Sequence, residues 1–302
     1  MGPRSGSCFF VWLTESCVSM ETFSKTMLKE KSRFCSQTAI VTAAVVIVVC
    51  FLFLGTLLCI NAKEKNLSQE GRFEDEIRRY ELLSKDAPPT SENTIFIGSS
   101  NFAWWGSDLE KRFEQFQAVN RGFGGAHTTD LLSALPRLVL PYKPNRIVVF
   151  IGGNDIAYYT EPENVFENFK QILGQIWTAN PKTEVFFVSP THAPIRKKYW
   201  QQMDRYDQKV FDLSQRLDGL YHIDITNPMN DAHGKVRENL YLTDGLHLNK
   251  MGRDLWGHLI ASAIENSLEN PVTTTDEQLR LQREENGIFQ RDTEAGVERE
   301  KR

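Results

Sequence analysis

Five short apolar runs recur between residues 94 and 223, and the segments between them return an apolar residue every three or four positions. Short continuous runs suit strands, whereas a period near 3.6 suits helices that bury one face. The pattern predicts strands over residues 94–97, 117–120, 146–151, 184–188 and 220–223. It predicts helices around 108–116, 129–138, 162–179, 196–217 and 249–267, preceded by a charged amphipathic helix near 72–83. Strand alternating with helix is the rhythm of a parallel sheet. The third strand, Ile147-Val148-Val149-Phe150-Ile151, has no polar position, as expected of a strand covered on both faces. The expectation is an α/β fold: a flavodoxin-like three-layer α/β/α sandwich with a five-stranded parallel sheet. In such doubly wound sheets, sites form in the crevice beyond the carboxyl ends of the strands.

A different apolar stretch lies upstream. From Phe34 to Ala62 no residue is charged, and residues 39–60 are almost entirely apolar. About 20 such residues are needed to cross the hydrocarbon layer, while the apolar core of a cleaved signal peptide runs only about 7 to 15. One N-terminal transmembrane helix is therefore expected over residues 39–61. Cys50 follows Val49 and Cys59 follows Leu58, so neither has the small preceding residue of a lipid-modified cysteine. Lys25, Lys29, Lys31 and Arg33, opposed by Glu30, precede the span, and Lys63, Lys65 and Arg72 follow it. This slight bias favours a cytoplasmic N-terminus, with the larger domain on the non-cytoplasmic side. The expected organisation is a polar N-terminal segment (1–38), the span (39–61), a charged helical linker (62–89), an α/β domain (90–270) and a charged tail (271–302).

The 302 residues leave room for one ordinary domain with appendages. With 35 Lys and Arg against 39 Asp and Glu, the net charge of -4 argues against a phosphate-backbone partner, so no nucleic acid is expected. All five cysteines precede residue 60, which leaves the domain no thiolate for catalysis and no internal disulfide. The sequence contains no metal-ligand cluster, phosphate-binding loop or dinucleotide glycine fingerprint, and no cofactor or metal is expected.

The candidate chemistry lies in four separated segments: Gly98-Ser99-Ser100-Asn101, Asn120-Arg121-Gly122-Phe123-Gly124-Gly125, Gly152-Gly153-Asn154-Asp155 and Asp244-Gly245-Leu246-His247. The first three follow predicted strands, and the last opens the C-terminal helix. A serine hydroxyl needs a neighbouring base, and that base needs a third group to fix its tautomer. Ser100, His247 and Asp244 can fill these roles, since a three-residue spacing lets the Asp244 carboxylate reach the imidazole Nδ1 and leaves Nε2 for the serine. Attack on an ester carbonyl creates an oxyanion, and preorganised donors aimed at it are commonly worth about 3 to 4 kcal/mol each. The backbone N–H groups of Ser100 and Gly125 and the side-chain amide of Asn154 are candidates.

Each segment alone has a plainer reading: a helix cap at Ser99 to Asn101, ordinary turns at the two glycine-containing segments, a capping Asp244 beside a surface His247. Their joint occurrence favours the chemistry. Trp104, Trp105, Phe123, Tyr158 and Tyr159 follow these motifs closely and read as core or rim packing ahead of a pocket lining. His127, His192, His222, His233 and His258 read as structural or surface residues, with His192 the best candidate for a pocket wall.

In this order the four motifs resemble the SGNH (GDSL-type) hydrolase and esterase family, over about residues 90–268. The resemblance implies that Ser100 is the nucleophile and His247 the base held by Asp244. It also implies an oxyanion hole built from the Ser100 amide, Gly125 and Asn154. Ser99 stands where the family signature has Asp, which looks like a Gly-Ser-Ser branch of the family, and Arg121 before Gly122 is similar to that branch. The replaced residue is outside the implied triad.

The expectation is a membrane-anchored serine esterase acting on a lipid acyl ester or an O-acetylated glycan. Two alternatives are an acyltransferase using the same site and a catalytically silent glycan-binding module tethered to the membrane.

Overall fold

The computed structural model describes residues 71–270. Among these no helix is long and apolar enough to cross a membrane, and the segments expected to form the span (39–61) and the charged tail (271–302) lie outside them. In chain order the elements are α1 (Glu74–Asp86), β1 (Thr94–Gly98), α2 (Ser100–Trp105), α3 (Ser107–Arg112), β2 (Ala118–Gly122), α4 (Thr128–Leu138) and β3 (Arg146–Phe150). They continue with α5 (Gly153–Ala157), α6 (Pro162–Ala179), β4 (Glu184–Val188), α7 (Trp200–Ser214), β5 (Leu220–Ile223) and α8 (Lys250–Glu269).

The five strands form one parallel sheet in the order β2-β1-β3-β4-β5, the doubly wound flavodoxin-like order expected from the alternation of elements. Successive strand residues feed two cores. Ile95, Ile97, Ile147, Val149, Val185 and Phe187 pack with α4, α6 and α7 on one face, and Phe96, Val148, Phe150, Phe186 and Val188 pack with α2 and α8 on the other. Because both faces are covered, the strands need no polar alternation.

Helix α1 joins the first of these cores. Ile77 and Tyr80, with Phe73 just ahead of the helix, are buried against it, and the Tyr80 hydroxyl donates to the Gly122 carbonyl at 2.6 Å. Arg137 on α4 holds Glu74 and Glu81 of α1, each at 2.7 Å. These contacts make α1 a packed layer of the domain, as well as the lead-in from the N-terminal side.

Two predicted helices are shorter than the periodicity suggested. The segment 108–116 divides into α3 and a 3-10 turn at Glu114–Phe116, because the fully buried Phe113 takes φ -117° and ψ 31° and breaks the helix. The segment 196–217 begins as a 3-10 turn, Pro194–Tyr199, in which Arg196 has the non-helical pair φ -100°, ψ 16°. There the Ala193 carbonyl accepts from both the Arg196 N–H and the Trp200 indole, a turn that α7 follows rather than contains.

Candidate active site

The crevice is formed where β1, β2 and β3 end. Strand β1 turns into α2 within two residues, and this sharp turn needs Gly98: its φ is +143°, and a Cβ there would stand 2.1 Å from the Phe150 carbonyl oxygen. Any side chain would force β1 and β3 apart. The turn leaves Ser100 half-buried at the start of α2, with its hydroxyl facing the C-terminal loop.

That loop carries His247 and Asp244. His247 Nε2 lies 3.0 Å from Ser100 Oγ, and His247 Nδ1 lies 2.7 Å from Asp244 Oδ2. The second carboxylate oxygen of Asp244 accepts the backbone N–H groups of Leu246 and His247 at 2.9 and 3.0 Å. Burial pushes the Asp244 carboxyl up, but the hydrogen bonds from the His247 ring and from these two N–H groups outweigh it and bring the group down to about 2. Asp244 is therefore an anion at any ordinary pH. The ring of Trp104 stacks on His247 at 3.7 Å and 14°, and the next residue's N–H, that of Leu248, donates to the buried Asn101 side chain at 3.3 Å, so the imidazole is held from its face and its chain is tethered just beyond it.

Gly125 and Asn154 follow the ends of β2 and β3, the two strands that flank β1. Asn154 is buried, and its amide nitrogen donates to the Ala126 carbonyl at 2.8 Å, leaving one of its two N–H bonds uncommitted. Among the described residues neither the Ser100 nor the Gly125 backbone N–H donates to another group. Gly125 has φ +78°, which a side chain rarely adopts, and its carbonyl accepts from Arg72 at 2.8 Å. Buried Asp155 ties the two turns together, since its carboxylate accepts from Thr128 Oγ1 at 2.6 Å and Thr128 N–H at 3.0 Å. Burial pushes that carboxyl up against the pull of the Thr128 hydrogen bonds.

Ser100, His247 and Asp244 thus form one hydrogen-bonded chain. The remaining sequence candidates separate. Trp104 lies on the imidazole face, Tyr158 and Tyr159 are exposed beyond Asn154, and Trp105 and Phe123 are buried in the two cores. His192, the expected pocket wall, pairs with Asp204 at 2.6 Å and stacks on Trp200, and His222 pairs with Asp207 at 2.8 Å. His127 caps α4, and His233 and His258 are exposed.

One residue at the site has no counterpart in the motifs. Arg196 donates from Nη2 to the Asn154 side-chain oxygen at 2.6 Å, so the amide is held at its oxygen by Arg196 and at its nitrogen by Ala126. No local spacing announces it, since the two residues are 42 positions apart and the contact arises from the 3-10 turn. Among the described residues no group of three or more His, Cys, Asp or Glu side chains could hold a metal ion.

The model of the GDSL-like lipase/acylhydrolase family matches residues 94–255. Among curated proteins no sequence matches the chain. Solved structures do. A GDSL-like lipase from Bacteroides thetaiotaomicron is 22% identical with a TM-score of 0.56, the match covering 63% of this chain and 98% of that one. A Bacteroides fragilis protein provisionally described as an acylhydrolase has the same identity and TM-score, with coverage of 63% and 96%. A Streptococcus pneumonia protein provisionally described as a platelet activating factor is also 22% identical, at a TM-score of 0.56 and coverage of 68% and 97%. At this identity these three likenesses bear on the fold.

Proposed function

The chain belongs to the GDSL-like lipase/acylhydrolase family and is a hydrolase acting on ester bonds, and from that premise we propose that it is a membrane-anchored serine esterase with Ser100 as nucleophile. The observation that carries the assignment is the continuous chain Asp244 Oδ2, His247, Ser100 Oγ, at 2.7 and 3.0 Å. In this reading Ser100 Oγ attacks the ester carbonyl carbon as its proton passes to His247 Nε2, and Asp244 stabilises the imidazolium. The oxyanion is received by the Ser100 and Gly125 N–H groups and the free N–H of the Asn154 amide. Collapse breaks the bond to the alcohol oxygen, which leaves with the proton from His247. Water, deprotonated by the same ring, then attacks the acyl-enzyme, and Ser100 is regenerated with release of the carboxylic acid.

The substrate class we assign is a lipid acyl ester or an O-acetylated glycan. The apolar stretch 39–61 supports anchoring, and the charges around it support a catalytic domain on the non-cytoplasmic side. Fluorophosphonate labelling of the full chain in detergent, beside Ser100→Ala and His247→Ala proteins, tests the site. Labelling confined to the parent supports an activated serine, whereas equal labelling of the Ser100→Ala protein would remove Ser100 from the role. Protease added to intact cells tests the topology, and a domain protected until the membrane is broken would overturn it.

A further inference from the structure

We propose that Arg196 sets substrate specificity, and that the preferred ester carries an anionic group, carboxylate or phosphate, a few bonds from the carbonyl that Ser100 attacks. The inference rests on the esterase reading and deepens it. The turn that carries Arg196 is joined to the loop of Asp244 and His247, since Ile195 N–H donates to the Gly245 carbonyl at 3.2 Å. Its side chain extends to the turn after β3. Nη2 reaches Asn154, and Nη1 lies over Gly153, where an added Cβ would come within 3.4 Å of it. The turn of Arg196 thus meets the Asp244–His247 loop through its backbone and the Gly153-Asn154 turn through its guanidinium.

A guanidinium has five N–H donors, and one of them is used here, on a neutral amide oxygen. Two glutamates meet Arg137 in forked pairs, and buried Arg121 is held by Ser84, the Asn120 carbonyl and the Tyr80 ring. Arg196 is half-buried, as Arg137 is, yet among the described residues no ion pair reaches it. Burial draws its pKa down, and the groups that favour its charge are the phenols of Tyr158 and Tyr199. The acids nearest in the site are already engaged, Asp244 by His247 and Asp155 by Thr128. Lys197 and Lys198 on the same turn are exposed and add to the positive potential. A partly desolvated cation is costly without a counter-charge, and a bound anion would supply one. An anion on the free N–H groups would lie on the order of 7 Å from the oxyanion held by Asn154, by ordinary hydrogen-bond lengths, which four or five bonds of substrate can span.

The experiment compares charged and neutral isosteres with the full chain in detergent at low ionic strength. One pair carries the anion on the acyl side, p-nitrophenyl hydrogen glutarate against p-nitrophenyl glutaramate. The other carries it on the alcohol side, 4-acetoxybutyrate against 4-acetoxybutyramide. In one pair the parent should favour the anion by about 10- to 100-fold in kcat/KM, carried by KM, as expected for a hydrogen bond to a charged group. The ratio should fall to about 1 in Arg196→Gln and survive in part in Arg196→Lys. Hydrolysis of all four esters with no preference in either pair would overturn the inference and leave the esterase standing. An Arg196→Gln protein in which both members of a pair fall equally would also overturn it, reducing Arg196 to a positioning residue for the Asn154 amide. A parent that neither labels with fluorophosphonate nor turns over any ester would sink the esterase reading and this inference together.

Discussion

Replacement of Asp244 by Ala removes a charge without touching either reacting group, which makes it the most quantitative probe of the proposed triad. The carboxylate oxygen is 2.7 Å from His247 Nδ1, so the charge centres of an Asp244–imidazolium pair are about 4 Å apart. Coulomb's law gives that pair about 4 kcal/mol at an effective dielectric constant of 20 and about 1 kcal/mol in bulk water. The Asp244 side chain is 40% exposed and that of His247 12%, so the value belongs between these limits, at about 2 to 3 kcal/mol. The expected loss in kcat is roughly 30- to 150-fold. It is smaller than for a fully buried acid because water takes up part of the screening, and because Trp104 and the Leu248 N–H still hold the ring.

The Asp244 carboxyl sits near 2, so it is ionised throughout an assay from pH 5 to 9 and its own titration adds no limb to the profile. Initial rates on p-nitrophenyl acetate, with Ser100→Ala as the zero, read the effect. An Asp244→Ala protein within threefold of the parent, alongside an inactive Ser100→Ala protein, would show that His247 works without this carboxylate.

Trp104→Ala should lower kcat about 2- to 12-fold, the worth of one aromatic stack, with Trp104→Phe recovering most of it; equal rates in all three proteins would make the stack a mere contact of surfaces. Glu74 offers a pH test of α1. Hydrogen bonds from Arg137, then from Arg78, bring its carboxyl from the usual 4.5 to about 2. A depressed folded value means that the stabilisation is fully present above about 4.5 and is lost as pH falls through about 2. The melting temperature of Glu74→Gln should therefore be below the parent's at pH 5 and converge with it toward pH 2.5; parallel curves would refute the coupling.

The strands were legible because burial on both faces leaves no polar interruption: β4 and β5 have the predicted limits, and β1 and β3 differ by a single residue at one end. Helices of five or six residues, such as α5 and α2, complete fewer than two turns and carry no readable period. The meeting of Ser100, Asp244 and His247 was legible because each sits at a strand end or a loop whose local composition is constrained. Arg196, the Trp104 stack and the Arg72 bond to Gly125 were not, since each depends on segments brought together by tertiary packing alone. A charged residue in a polar turn looks the same in sequence whether it faces solvent or the crevice.

Helix α1 has a mechanical meaning. The family match begins at residue 94, yet the loop at 122–125 is gripped from upstream of it, by Arg72 on the Gly125 carbonyl and Tyr80 on that of Gly122. Phe73 and Tyr80 also pack on the Phe123 ring between them. Residues ahead of the family's own boundary thus serve as the outer brace of the glycine loop, and Arg72 ties that brace to Asp130 of α4 as well.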